Sequence, residues 1–240
     1  MTRLPNICCV ALLSILVPAA NAQSPLSQLG GLKNLGGNAS LNDSKIGAGL
    51  KEALSVGTKN AVHLVDKPGG YLDNPAIKIL LPKSLQPVES LLRGAGEGPK
   101  IDSFVSSMNH AAENAAPAAE QIFADAVTAM TIDDASRLLH GGDTSITEYF
   151  KSKTSTQLAT AFRPQVEKAM NANGVTQQYN ELSGRLPQMP FMKSSAFDIN
   201  SYVVNQALNG LFYMLAQQEK DIRQNPAART TGLLKEVFGH

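Results

Sequence analysis

The chain has 240 residues, with 21 Lys+Arg against 20 Asp+Glu, no Trp and two cysteines. So even a balance provides no long-range attraction for phosphates or anionic lipid, and nucleic-acid and membrane-surface roles lack their usual electrostatic signature. Both cysteines, Cys8 and Cys9, lie at the extreme N-terminus. A chain cut downstream of them has no disulfide, thiol nucleophile or thiolate metal ligand, and its stability must come from packing.

Residues 1–22, MTRLPNICCVALLSILVPAANA, place Arg3 before an apolar run from Ile7 to Val17, then Pro18 and the small-residue site Ala20-Asn21-Ala22. This is the pattern of a secretory signal cleaved after Ala22. The run falls short of the roughly 20 apolar residues a membrane span needs, so no stable membrane insertion is expected. Removing the signal also removes Arg3 and leaves 20 Lys+Arg against 20 Asp+Glu. Residues 23–43 are rich in Gly, Ser and Asn, with Gly pairs interrupting Leu26, Leu29, Leu32 and Leu35, and read as a flexible arm. Residues 44–240 read as a single helical domain.

Helical periodicity starts at Ile46 and runs through Leu50, Ala53, Leu54, Gly57, Ala61, Leu64 and Val65, with Pro68-Gly69-Gly70 as the stop. Asp73-Asn74-Pro75 is a turn, and the proline-bounded run 76–82 is a short strand or extended segment, with the region 189–193 as its candidate pairing partner. A short helix over 84–93 ends in the cluster Gly94-Ala95-Gly96-Glu97-Gly98-Pro99, which lacks the context of a phosphate loop and reads as a cap and turn. From Ile101 to Met130 a continuous apolar stripe is interrupted by Pro117, so two helices or a kinked one are expected, with Ala112 and Ala116 where a neighbour approaches closely.

Thr131 with Asp133 and Asp134 marks a capped short helix ending at His140-Gly141-Gly142. Helices are then expected over 146–151, 157–171 and 176–186. Asp198 caps the most apolar helix, Ile199 to Ile222, which should be buried on several sides, and a last helix covers 227–238. The fold class expected is all-α, a single irregular multi-helix bundle around a buried C-terminal helix, allowing one short strand or hairpin.

The stretches GLKEAL, NPAIKILLP (Asn74–Pro82), MNHAAENAAPAAEQIF, TIDDASRLLHGGDTSITEYF, LFYMLAQQEKDIRQNPAAR and the terminal VFGH, together with the signal, resemble an exported bacterial family known as domain of unknown function 4197. The resemblance covers residues 46–240 and implies a helical periplasmic protein of Gram-negative cells, without supplying an activity or cofactor. The family pattern has an arginine where this chain has His110, so no role of that arginine carries over.

His63, His110, His140 and His240 share no metal-ligand spacing, and His110-x-x-Glu113 reverses the order of a helical di-iron motif, so no metal or cofactor is expected. No GxSxG motif marks a nucleophile, and no catalytic residues are assigned. Glu219 and Asp221 near Arg223 read as an exposed, charge-balanced helix end. The remaining candidates are polar groups set among apolar ones: Asn109 and Glu113 at i, i+4, and Tyr202, Asn205 and Asn209 at i, i+3, i+7. Such groups are costly to bury unpaired. They read first as a hydrogen-bond network fixing helix register, with Arg93 or Arg137 as the partner of Glu113. Alternatively, Arg93, Asn109, Glu113, Tyr202, Asn205 and Asn209 line a cavity for a small ligand. The function expected is a non-enzymatic small-ligand-binding or envelope-interaction module, its partner a small ligand or envelope protein, with a motif-less periplasmic hydrolase as the alternative.

Overall fold

A computed structural model describes residues 38–172 and 198–229, with isolated positions at 177, 232 and 235. Among these residues there are seven α-helices and no strand: α1 (Asn38–Val65), α2 (Gln86–Gly94), α3 (Gly98–Ala115), α4 (Ala118–Ala129), α5 (Ile132–Leu139), α6 (Ser145–Ala172) and α7 (Ile199–Gln224). One-turn 3-10 helices precede α2 (Lys83–Leu85) and follow α7 (Pro226–Ala228). The all-α expectation holds. Helix α1 begins at Asn38, within the stretch expected as an arm, because the last glycine pair of that stretch is Gly36-Gly37 and nothing from Asn38 to Lys45 breaks a helix. The candidate pairing segment 189–193 lies outside the described residues, as do the expected helix 176–186 apart from Gln177 and most of the expected helix 227–238.

Helix α6 is one 28-residue helix where two were expected. Its buried side chains Ile146, Phe150, Thr154, Leu158, Phe162, Val166 and Met170 follow one another at steps of four. With 3.6 residues per turn each such step drifts by about 40°, so the stripe winds around the helix and needs neighbours on several sides. Those neighbours are α3, α4 and α7, and α6 thereby shares the centre of the bundle with α7. The residues between the two expected helices are helical as well, and hydroxyls along α6 donate to carbonyls one turn back instead of ending the helix, Thr154 Oγ1 to Phe150 O (2.6 Å) and Thr160 Oγ1 to Thr156 O (2.9 Å).

Pro117 separates α3 from α4 as expected, while the junction residues Ala116 and Pro117 keep helical dihedral angles. Ala112, Ala115, Ala116 and Ala119 are fully buried. Beyond them, Phe123 meets the edges of Phe150 and Phe212 at centroid distances of 5.4 and 6.2 Å, an arrangement that ties α4 to both central helices. Thr131 and Asp134 form a capping box at the start of α5, with Thr131 Oγ1 accepting from Asp134 N at 3.0 Å. Asp198 caps α7 by accepting from the backbone of Asn200 and Ser201.

Two outcomes follow from this packing. Ala116→Leu should overpack the α3–α4 junction and cost about 1–3 kcal/mol in a urea titration. The carboxyls of Asp134, held by Thr131, and Asp198, held by Ser201, lie below the usual aspartate range. The stability they contribute is therefore complete above the unfolded aspartate value of about 3.9 and is lost as pH falls through their lower folded values. Helix content followed by circular dichroism should accordingly hold down to about pH 4 and decline below it.

Candidate functional site

Between α1 and α2 the chain crosses the bundle in an irregular path from Asp66 to Pro82, and the polar candidates of α3 are used to hold it. Asn74 starts the turn expected there, its Oδ1 accepting from Ala76 N at 3.1 Å. Downstream, the run 76–82 expected as a strand or extended segment begins in this turn, with Ile77 N and Lys78 N donating to Asn74 O, and pairs with no strand among the described residues. Its partner is a side chain: Asn109 Oδ1 accepts from Ile79 N (2.8 Å) and Asn109 Nδ2 donates to Ile79 O (2.9 Å), as a neighbouring strand would. The second Nδ2 hydrogen goes to Val105 O (2.7 Å), so both amide hydrogens are used. One turn along α3, Glu113 Oε1 accepts from Tyr71 N (3.1 Å) and Leu72 N (3.2 Å), and Oε2 lies 2.7 Å from His110 Nδ1.

The crossing is fixed to α7 as well. Tyr202 donates its hydroxyl to Leu80 O at 2.8 Å, and the fully buried Tyr71 donates to Ala207 O at 2.7 Å. Burial, with the Glu113 charge beside it, pushes the Tyr71 phenol far above the ordinary tyrosine range, and burial raises Tyr202 too. The Tyr71 ring lies so close to α7 that a Cβ on Gly210 would stand 2.6 Å from its Cε1, which explains a glycine inside a helix at that point.

The arginines expected to serve Glu113 are elsewhere. Arg93 is on the surface, paired with Glu89 (2.9 Å) and Asp102 (2.7 Å), and holds the Asp102 carboxyl below its usual range. Arg137 pairs with Asp134 in its own helix. Glu113 needs neither, because backbone N–H groups and His110 supply its bonds. Spacing on a helix cannot reveal such partners, which arrive from a loop about forty residues away in sequence.

A second buried carboxylate corrects the reading of the α7 terminus. Glu219 is not exposed: it is 4 % accessible, and its two oxygens accept from Ile146 N (3.0 Å), Thr147 N (2.9 Å) and Thr147 Oγ1 (2.8 Å) at the start of α6. Arg223 pairs with Glu219 at 3.0 Å and donates to Leu138 O, Leu139 O and Ser145 Oγ. The pair thus caps the end of α5 and the start of α6 at once, with charges that suit both helix dipoles. Asp221, by contrast, is exposed as expected. The spacing of Leu211, Leu215 and Glu219 at steps of four was the sequence signal for this burial.

Asn205 and Asn209, the other α7 candidates, point away from this network. They lie on the exposed wall of a groove of about 620 Å³ between α6 and α7. The facing wall of α6 carries Lys151, Ser155, Thr156, Thr160 and Arg163, over a floor of Ala159, Leu208 and Phe212. Lys151, Thr156, Asn205 and Asn209 offer side chains that bond no protein group among the described residues. The six candidates therefore divide: Asn109, Glu113 and Tyr202 hold the crossing, Arg93 is a surface ion pair, and Asn205 and Asn209 line the groove.

Folding also gathers His63 and Asp66, at the end of α1, with Glu120 of α4, their ligand atoms all within 4.8 Å of one another. Nδ1 of His63 lies 3.2 Å from Asp66 Oδ2 and 3.8 Å from Glu120 Oε1. One imidazole and two carboxylates could hold a divalent ion, and a protonated His63 serves the same two carboxylates as an ion pair. Separate spacings along the sequence gave no sign of this cluster, since Glu120 comes from another helix.

The fold and these contacts define a helical bundle in which Asn109, Glu113 and Glu219 hold segments together and Lys151, Thr156, Asn205 and Asn209 line a surface groove. The chain matches the family described as protein of unknown function (DUF4197) over residues 40–239 and belongs to it. No curated protein and no solved structure matches it. No helix among the described residues is long and apolar enough to cross a membrane.

Two substitutions test the architectural assignment. Glu113→Ala strands the N–H groups of Tyr71 and Leu72 and should cost about 1–3 kcal/mol for each donor left unpaired, whereas Glu113→Gln retains the Oε1 acceptor and should cost less. Glu219→Ala leaves Arg223 without its carboxylate in a site only 11 % exposed and should cost about 3–5 kcal/mol. Chemical denaturation followed by circular dichroism measures both.

Proposed function

We propose that this protein is an exported, non-enzymatic module of the bacterial envelope that binds a small polar ligand in the groove between α6 and α7. The observation that carries the reading is the convergence of Lys151, Thr156, Asn205 and Asn209 on one concave surface, with their hydrogen-bonding capacity unspent on the protein. Polar groups placed around an apolar floor, and fixed by two packed helices, are what a specific small-ligand site requires. The buried groups of α3 cannot take that role, because the 66–82 crossing already uses them.

Export is supported by the order Arg3, apolar run and Ala20-Asn21-Ala22, which favours a mature chain beginning at Gln23 and a periplasmic location. N-terminal sequencing of the protein from a periplasmic extract should read Gln-Ser-Pro; an intact Met1 would refute export.

The binding reading is tested by native mass spectrometry of the protein purified from its own cells, beside the double variant Asn205→Ala, Asn209→Ala. A small-molecule adduct on the parent and its loss from the variant, at unchanged melting temperature, is the expected result. An adduct that survives in the variant, or a protein adduct in its place, would move the site elsewhere.

A further inference from the structure

We infer that the occupant of the α6–α7 groove is an acidic oligosaccharide, bound with its anionic group at Lys151; the inference rests on the groove being the binding site. Charge comes first. Among the described residues no carboxylate lines the groove, and the two cations that do, Lys151 and Arg163, stand at its ends. They are not equivalent. Arg163 already faces Asp198 at 3.5 Å and Glu167 at 3.7 Å and donates to Ser201 Oγ at 2.9 Å, so its charge is balanced. Lys151 is exposed and makes no ion pair among the described residues. The groove therefore offers one uncompensated positive charge at one end, which calls for a ligand with an acidic group at the matching end.

The middle of the groove calls for hydroxyls. Ser155 and Thr160 spend their protons on the carbonyls of Lys151 and Thr156, so toward the groove they present only oxygen lone pairs. Between them and the opposite wall, Asn205 and Asn209 can each donate and accept, and the Thr156 hydroxyl can do either. A ligand body that meets acceptors on α6 and mixed groups on α7 must itself donate and accept at short intervals, as sugar hydroxyls do. A main chain of amides has a single donor per residue at fixed spacing, and an acyl chain has none. The apolar floor of Leu208 and Phe212 suits the C–H faces of sugar rings. Lys151 and Arg163 are twelve positions apart on one helix, about 18 Å at 1.5 Å per residue, which is more than a single sugar occupies.

Calorimetric titration with three probes tests this: tetragalacturonate, the neutral tetrasaccharide maltotetraose and tetraglutamate. Each is added to the parent protein, to Lys151→Gln and to Thr156→Trp, an exposed substitution that fills the groove. Thermal melts check that both variants are folded. The inference expects tetragalacturonate to bind at least about tenfold more tightly than either other probe. That advantage should fall to about twofold or less in Lys151→Gln, and binding should vanish in Thr156→Trp. Equal binding of maltotetraose, or tighter binding of tetraglutamate, would overturn the acidic-sugar chemistry while leaving the groove as the site if Thr156→Trp still abolishes it. Failure of all three probes overturns the chemistry as well, and the native adduct then decides the groove independently. Binding that persists unchanged in Thr156→Trp would refute the groove itself.

Discussion

Carrying a peptide group into a protein interior without a hydrogen-bond partner costs more than most single contacts return, and the crossing from Asp66 to Pro82 raises that demand where no strand among the described residues stands alongside. Asn109 and Glu113 meet it. One carboxamide reproduces both bonds of a strand pair at Ile79, and one carboxylate takes the N–H groups of Tyr71 and Leu72. With the crossing held to α3, Tyr71 and Tyr202 can reach across to α7, and the contact between the Tyr71 ring and Gly210 sets how closely α7 approaches. The register of α3 against α7 follows from these bonds as much as from apolar packing.

Glu219 repeats the device at the other end of the bundle. It answers the orphan N–H groups at the start of α6, and Arg223 answers the orphan carbonyls at the end of α5. The turn between these two helices is thereby fastened to α7 by groups that match both dipoles. Each anchor sits at a four-residue step in an otherwise apolar stripe, so the polar group is delivered to the core by the same periodicity that delivers the leucines and phenylalanines. Removing a partner from such a site costs more than the pair contributes in net stability, because what remains is buried and unsatisfied.

The division of polar residues has a bearing on function. Asn109, Glu113 and Glu219 inside the bundle are bonded by the protein, whereas Lys151, Thr156, Asn205 and Asn209 along the α6–α7 groove keep their capacity for solvent or a ligand. A site built on the two central helices inherits their rigidity, so its geometry depends on the core stripe of α6, which runs from Ile146 to Met170.

The sequence by itself determined the all-α class, the break at Pro117, the caps at Thr131 and Asp198, and the burial of Asn109 and Glu113, because each rests on local spacing or on a residue's own backbone chemistry. It also singled out Asn205 and Asn209 as polar groups on an apolar helix, without telling that they face a groove while Asn109 faces the core. Local signals misjudged α6, where two helices were expected and one continuous helix runs, and Glu219, whose neighbours in sequence are charged but whose neighbours in space are the amides of Ile146 and Thr147. Only the tertiary structure decided the partners. An oxygen on α3 takes its hydrogens from a loop, and His63 meets Glu120, through contacts between segments far apart in sequence. Such contacts depend on how helices cross, and helix-period spacing within any one segment has no term for that.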